Sequence, residues 1–162
     1  TQDGLAKDTK TGLTWMRCAV GQRLDGKTCN GMKILFTQHD ALEFTKSFSF
    51  AGYSDWRVPT PDELQTLFDP DTETADLSVF PVQNCMQVTR DEDGEISLIN
   101  NSIKRSCFIW SFSPKANGSS DVWNMNLYYG YGDNATSGDA FDERDKNSLQ
   151  LVRGGNLIHP KN

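Results

Sequence analysis

The side chains best suited to binding a ligand lie together in the last third of the chain. Three tyrosines at positions 128, 129 and 131 precede a run of carboxylates, amides and one guanidinium. Tyrosine rings offer flat apolar area with a polar tip, and carboxylates and amides pair with hydroxyl groups. We predict a recognition surface here, with these ligand-binding residues: Tyr129, Tyr131, Asp133, Asn134, Asp139, Asp142 and Arg144. The alternative is a solvated loop with the tyrosines tucked beneath it.

Acidic clusters at 69–76 and 91–95 contain the hard oxygen ligands that calcium prefers. Neither cluster follows the EF-hand spacing, and an acidic turn is normally only a solvated turn. The four cysteines lack the close pairs that are typical of zinc sites. We therefore predict no metal and no cofactor.

Residues that could perform catalysis are scarce. The sequence contains no zinc-protease motif, no phosphate-binding loop and no nucleotide fingerprint. The two histidines are His39, expected on a helix surface, and His159, near the end of the chain. We predict that the protein is not an enzyme.

The cysteines instead favour disulfides in an exported protein. Cys18, Cys29, Cys85 and Cys107 form an even set with long, polar intervening segments. The simplest pairing joins Cys18 to Cys29 and Cys85 to Cys107, because each bridge then closes one turn-rich loop.

Length and charge narrow the class of protein further. The chain has 162 residues, which suits a single domain over 1–162. Its net charge of −6 makes nucleic acid an unsuitable partner, since the phosphate backbone is repelled. No apolar run approaches the length of about 20 residues that crosses a bilayer, so we expect no membrane insertion in this segment.

Two helices are predicted from capping signals. In the segment 52–64, GYSDWRVPTPDEL, Thr60 is placed as N-cap, Pro61 as the first helical residue and Glu63 as the reciprocal partner of a capping box. This helix is expected over 61–68 with its apolar side on a core. An earlier helix is expected over 37–48, with Thr37 as N-cap.

Strands are expected around the helices. Alternation predicts a strand near 13–16, paired strands over 107–113 and 121–129, a hairpin with its tip at 90–95, and a closing strand over 149–155. Residues 18–31 are expected to form a loop.

Four tryptophans and two arginines are expected to stabilise this framework rather than to bind ligand. We predict core positions for Trp15, Trp56, Trp110 and Trp123, and a stack of Arg57 on Trp56. Arg57 and Arg153 are expected to pair with buried groups, and Asp55 and Glu63 are the possible carboxylate partners.

Several of these segments together resemble one known family. The resemblance rests on these segments: TGLTW at 11–15, the 52–64 segment, FP at 80–81, IWSFS at 109–113, VWNMN at 122–126 and LVRGG at 151–155. In this order they resemble the C-terminal domain family of the Legionella collagen-like protein.

The resemblance implies an α+β, C-type-lectin-like fold related to formylglycine-generating enzymes, with two helices on small twisted antiparallel sheets and long ligand-facing loops. It implies a binding module of a secreted or surface-displayed bacterial protein, an adhesin that meets a glycan or a cell surface through segments 114–120 and 130–148. One family member binds sulfated glycosaminoglycans, which the acidic charge of this chain disfavours. The alternative is a structural tip or minor subunit of a pilus or a similar assembly.

Overall fold

The computed structural model describes residues 4–69, 71, 75–76, 78–81, 88–90, 96–98, 108–114, 122–126 and 146–155. Between 88 and 126 the description covers the backbone and, of the side chains, that of Ile109. The elements are short strands, small sheets and two helices: β1 Leu5–Lys7, β2 Leu13–Met16, β3 Arg23–Asp25, β4 Thr28–Asn30, β5 Leu35–Phe36, α1 Gln38–Thr45, α2 Pro61–Gln65, β6 Val88–Arg90, β7 Ile96–Leu98, β8 Phe108–Pro114, β9 Val122–Asn126, β10 Asn147–Ser148 and β11 Val152–Gly154.

A three-stranded antiparallel sheet unites the two ends of the described chain. Its order is β1-β2-β11, so the closing strand pairs with the strand that follows the first turn. Trp15 of β2 lies opposite Ala6 on one side and Val152 on the other. The predicted strands at 13–16 and near the end are thereby confirmed, although the last regular strand is shorter than 149–155.

This sheet separates two apolar clusters, because neighbouring strand residues point to opposite faces. Met16 and Leu151 belong to the first cluster, which also contains Val20, Phe36, Ala41, Trp56, Val58 and Leu149. Trp15 and Val152 belong to the second cluster, which also contains Leu13, Leu64, Leu67, Phe80 and Ile109. The predicted core positions of Trp15 and Trp56 are confirmed by exposures of 1% and 3%. The side chains of Trp110 and Trp123 lie outside the description.

Both helices begin where the capping signals predict and end earlier. The Thr37 hydroxyl accepts from the Asp40 N–H at 3.1 Å, and Thr60 forms a complete capping box with Glu63. Beyond α1 and α2 the backbone continues in i→i+3 turns, as in the bond from the Phe68 N–H to the Gln65 carbonyl. These turns still bring Leu67 and Phe68 onto the second cluster, so the predicted apolar face is retained in a tighter geometry.

The segment 18–31 is not the loop that we expected. Residues 23–30 form the β3–β4 hairpin, in which Leu24 pairs with Cys29 across the strands. The two turn residues are Gly26 and Lys27, and a glycine at the first position of a two-residue turn is a hairpin signal that the polar composition of the segment obscured. A disulfide joins Cys18 to Cys29, which confirms the first predicted bridge and ties the hairpin to the end of β2. Cys85 and Cys107 lie outside the described residues.

A second sheet has the order β5-β10-β8-β9. β8 and β9 pair antiparallel, as predicted, whereas β10 runs parallel to β8 through a pairing of Ser148 with Ile109. Separately, β6 and β7 form the antiparallel pair that the hairpin prediction for 90–95 requires; residues 91–95 are not described. The described chain is thus mixed α and β, with few helices and small sheets that are antiparallel apart from the β8–β10 pairing.

Candidate functional site

A tight turn opens the most distinctive sequence motif. Phe50 and Tyr53 exchange backbone hydrogen bonds of 2.9 and 3.0 Å, and the two residues between them both have left-handed backbone angles. Ala51 has a φ of +50°, a conformation in which a side chain is strained. Trp56 then donates its indole N–H to the Phe50 carbonyl at 3.1 Å. The buried indole therefore fixes the turn from inside, and Tyr53 is held at the surface with 41% of its area exposed.

Arg57 joins this motif to the helix and to the closing strand. Its guanidinium donates to both carboxylate oxygens of Glu63, at 2.7 and 2.5 Å, and to the Gly154 carbonyl at 3.3 Å. Its backbone exchanges two further hydrogen bonds with Val152. Glu63 also accepts from the backbone N–H of Thr60 at 2.9 Å, so one carboxylate serves the ion pair and the helix cap together.

Arg153 makes the second link between the two motifs, on the outer surface. Its Nε donates to Asp55 at 2.7 Å, and its guanidinium carbon lies 3.7 Å from the centroid of the Tyr53 ring. Asp55 and Glu63 are therefore the carboxylate partners of the two arginines, as predicted. The expected burial is confirmed for Glu63 and wrong for the partner of Arg153, because the Asp55 side chain is 56% exposed. The predicted stack of Arg57 on Trp56 is wrong: Arg57 is held by Glu63, and the cation–π contact is that of Arg153 with Tyr53.

The surroundings of Glu63 and of Asp55 lower the pKa of each carboxyl group and so favour its charged form. Burial raises the pKa of Glu63, but hydrogen bonds from Arg57 and from the Thr60 N–H outweigh it, so the pKa lies below its usual value. The hydrogen bond from Arg153 lowers the pKa of Asp55 and raises that of Arg153 in return. Charge-assisted hydrogen bonds therefore hold the 52–64 segment together internally, through Arg57, and link it to the closing strand, through Arg153.

All the predicted ligand-binding residues, from Tyr129 to Arg144, lie outside the described residues, and their role stays a prediction. The structure does place the two anchors of that segment. β9 ends at Asn126 beside Phe108, and β10 begins at Asn147 beside the same end of β8. The chain between them, called the 127–146 segment below, therefore leaves and rejoins one end of the second sheet. The predicted ligand-facing segment 130–148 is wrong at its end, because Asn147 and Ser148 are buried in β10.

The other predicted ligand-facing segment, 114–120, is anchored at the opposite end of β8, where Pro114 pairs with Val122. β8 is seven residues long, so its two ends lie about 20 Å apart at a rise of about 3.3 Å per residue. The strand register therefore places the anchors of the two segments at opposite ends of β8.

Sequence reasoning missed a groove beside the hairpin, because it treated residues 18–31 as a loop. The groove has a volume of about 510 Å³ and runs between the start of β1, the hairpin and the tight turn. We call it the hairpin groove; its lining includes Gly4, Met16, Gly21, Arg23, Leu24 and Phe50. The one available signal was Gly26 at the first position of the turn, which predicts a hairpin and hence a wall.

Two polar groups within the described core have no hydrogen-bond partner: the side-chain amide of Asn147, which is fully buried, and the indole N–H of Trp15. Gln150, by contrast, donates to the Met16 carbonyl. Among the residues that the structure describes, no group of three or more His, Cys, Asp or Glu side chains could hold a metal ion. None of the helices in the described ranges is long and apolar enough to cross a membrane.

The described residues form a small mixed α and β domain with one disulfide. Arg57 and Arg153 join two motifs that lie about a hundred residues apart in sequence. Residues 4–153 match the Lcl C-terminal domain family, that of the Legionella collagen-like protein, and the chain belongs to it. Membership indicates a secreted or surface protein. Comparison with curated proteins found no match, and comparison with solved structures found none.

Proposed function

We propose that this domain is a non-enzymatic adhesin module of a secreted or surface-displayed bacterial protein, and that it recognises a glycan or another component of a cell surface. The observation that carries the proposal is the family match over residues 4–153, which indicates a secreted or surface protein. The disulfide between Cys18 and Cys29 is typical of proteins in oxidising compartments and supports the same location.

The arrangement of the described elements supports a division between scaffold and binding segment. The two arginine links and the two apolar clusters hold the described core rigidly. The 127–146 segment is anchored at one end of a sheet that packs on this core, and its tyrosines, carboxylates and amides suit recognition of hydroxyl-rich or protein surfaces. Binding residues in loops on a rigid scaffold are a common arrangement.

We also propose that the two helices and small sheets form a C-type-lectin-like fold. The pairing of the closing strand β11 with β2 near the start of the domain is consistent with this proposal. No observation favours the pilus-subunit alternative over the adhesin, and it remains a prediction.

The test is binding to a glycan array and to cultured cells, with Tyr131→Ala and Asp142→Ala as the site variants. Gln65→Ala and Asp71→Ala are the controls, since both side chains are exposed and neither takes part in the ion pairs or ring contacts of the described core. We expect the site variants to lose binding and the controls to keep it. Absence of binding to every glycan and cell type by the unmodified domain would overturn the proposal.

A further inference from the structure

The hairpin groove is large enough for a ligand and is built from fixed parts. Its volume of about 510 Å³ falls within the range of ordinary ligand sites. The hairpin wall is tied down by the Cys18–Cys29 disulfide, and both cysteines are buried. Such a groove is preorganised, so a ligand that enters it does not have to order the hairpin.

The floor of the groove is apolar. Met16, Leu24 and Phe50 line it, and the ring of Phe50 already packs against Phe48 and Trp56. Phe50 is half-buried, and these neighbours hold its ring in place, so it contributes apolar area to the groove. The floor is suited to an aliphatic or aromatic side chain.

Exposed apolar residues continue this surface. Met32 is 86% exposed and Ile34 is 49% exposed. The segment that contains them packs directly on Gly21, which lines the groove. Two exposed apolar side chains therefore belong to a segment that contacts the groove lining, and exposed apolar residues are common on surfaces that meet other proteins.

An uncompensated positive charge stands at the groove. Arg23 lines it, is exposed, and forms no ion pair or side-chain hydrogen bond with any residue in the described ranges. Arg23 is the one charged residue among the described residues that line the groove. Local charge thus favours an anionic occupant, and Arg is the side chain best shaped to bind a carboxylate.

We propose that the hairpin groove binds a peptide segment of a partner protein in which an apolar side chain stands next to a carboxylate. The apolar side chain occupies the floor formed by Met16, Leu24 and Phe50, and the carboxylate accepts hydrogen bonds from Arg23. None of the residues that form this site belongs to the 127–146 segment, and the proposal adds a second partner to the proposed adhesin function.

The test uses fluorescence polarisation with three labelled peptides, GSGFEGSG, GSGAEGSG and GSGFQGSG. We expect saturable binding of the first peptide and affinities lower by about tenfold for the other two, since a charge-assisted hydrogen bond or one buried aromatic ring contributes on this scale. Arg23→Glu should weaken binding of the first peptide by about tenfold or more. Lys27→Glu is the matched control, because it makes the same charge change at the exposed tip of the same hairpin, and it should leave the affinity within about twofold.

Equal binding of all three peptides, equal losses in the two variants, or no saturation by about 1 mM would overturn the proposal. So would binding of a heparin oligosaccharide that depends on Arg23 while the peptides fail, since the occupant would then be an anionic glycan. Both variants are at exposed positions, and unchanged thermal midpoints will show that they fold. Failure here leaves cell binding through Tyr131 untouched, so the two proposals are tested separately.

Discussion

Arg57 and Glu63 form a bidentate ion pair that joins the closing strand to the first turn of α2. The pair is largely buried, with side-chain exposures of 26% and 15%. Through it, the same carboxylate that caps the helix holds the guanidinium that binds the Gly154 carbonyl. Loss of either charge therefore loosens two distant parts of the chain together.

Glu63→Gln is expected to lower the free energy of unfolding by about 2 kcal/mol, because it removes a charge-assisted pair from a mostly buried site. Urea denaturation followed by circular dichroism measures it. Glu43→Gln is the control, since Glu43 pairs with Lys46 on the exposed surface of α1 and such pairs contribute little. An equal effect of the two substitutions would contradict the structural role of Glu63.

The same pair predicts an acid-dependent loss of stability. The folded-state pKa of Glu63 lies below its usual value of 4.5, so its stabilisation is complete above that pH. It is lost as the pH falls through the folded-state value. The difference in unfolding free energy between the unmodified protein and Glu63→Gln should therefore be constant at higher pH and shrink in acid. A difference that grows on acidification would have the wrong sign.

Replacing both Cys18 and Cys29 by serine is expected to lower the free energy of unfolding by about 3 kcal/mol, on the chain-entropy account of an 11-residue separation. The measurement is the urea midpoint. Cys29 and Cys18 are 1% and 6% exposed, so the native bridge should also resist mild reductant until the domain opens. Rapid reduction without unfolding would show that the hairpin opens more readily than its burial indicates.

The second bridge is tested by peptide mapping without reduction. Trypsin should release residues 18–23 linked to 28–33, and residues 58–90 linked to 106–115 if Cys85 pairs with Cys107. Mass spectrometry identifies both species. A peptide that links 18–23 to 106–115 would refute the pairing at once.

Gly21 is expected to be intolerant of a side chain for two reasons. Its φ is +93°, and an added Cβ would lie 2.5 Å from the Met32 carbonyl oxygen. Gly26 is a matched control, with a φ of +60° and open space around it. Gly26→Ala should cost about 1 kcal/mol and Gly21→Ala about 3 kcal/mol in thermal or urea unfolding, since only the second adds overpacking to backbone strain. Equal costs would mean that the backbone at 32–34 yields freely.

Local signals were sufficient to predict the parts of the fold that local physics determines. Thr37 and Thr60 start helices because each offers a hydroxyl to an amide three residues later, and this needs no knowledge of the rest of the chain. The lengths of those helices were overestimated, since docking on the core, rather than propensity, tightens their last turns into i→i+3 geometry.

Contacts between distant residues were predicted only as possibilities. Two arginines and two carboxylates are evident in the sequence, but the assignment of Asp55 to Arg153 depends on the pairing of Arg57 with Val152. The two-residue strand β10, parallel to β8, has no periodicity that could reveal it. The hairpin groove was not predicted for the same reason, because its lining comes from four separate stretches of chain.

The order β1-β2-β11 also determines how the domain carries mechanical load. β1 and β11 both run antiparallel to β2, so they point in the same direction on either side of it. A pull that drags Leu5 one way and Gly154 the other acts along the strands and strains both hydrogen-bond ladders in shear at once. A domain that tethers one surface to another under flow would resist detachment through β2, the strand in the middle.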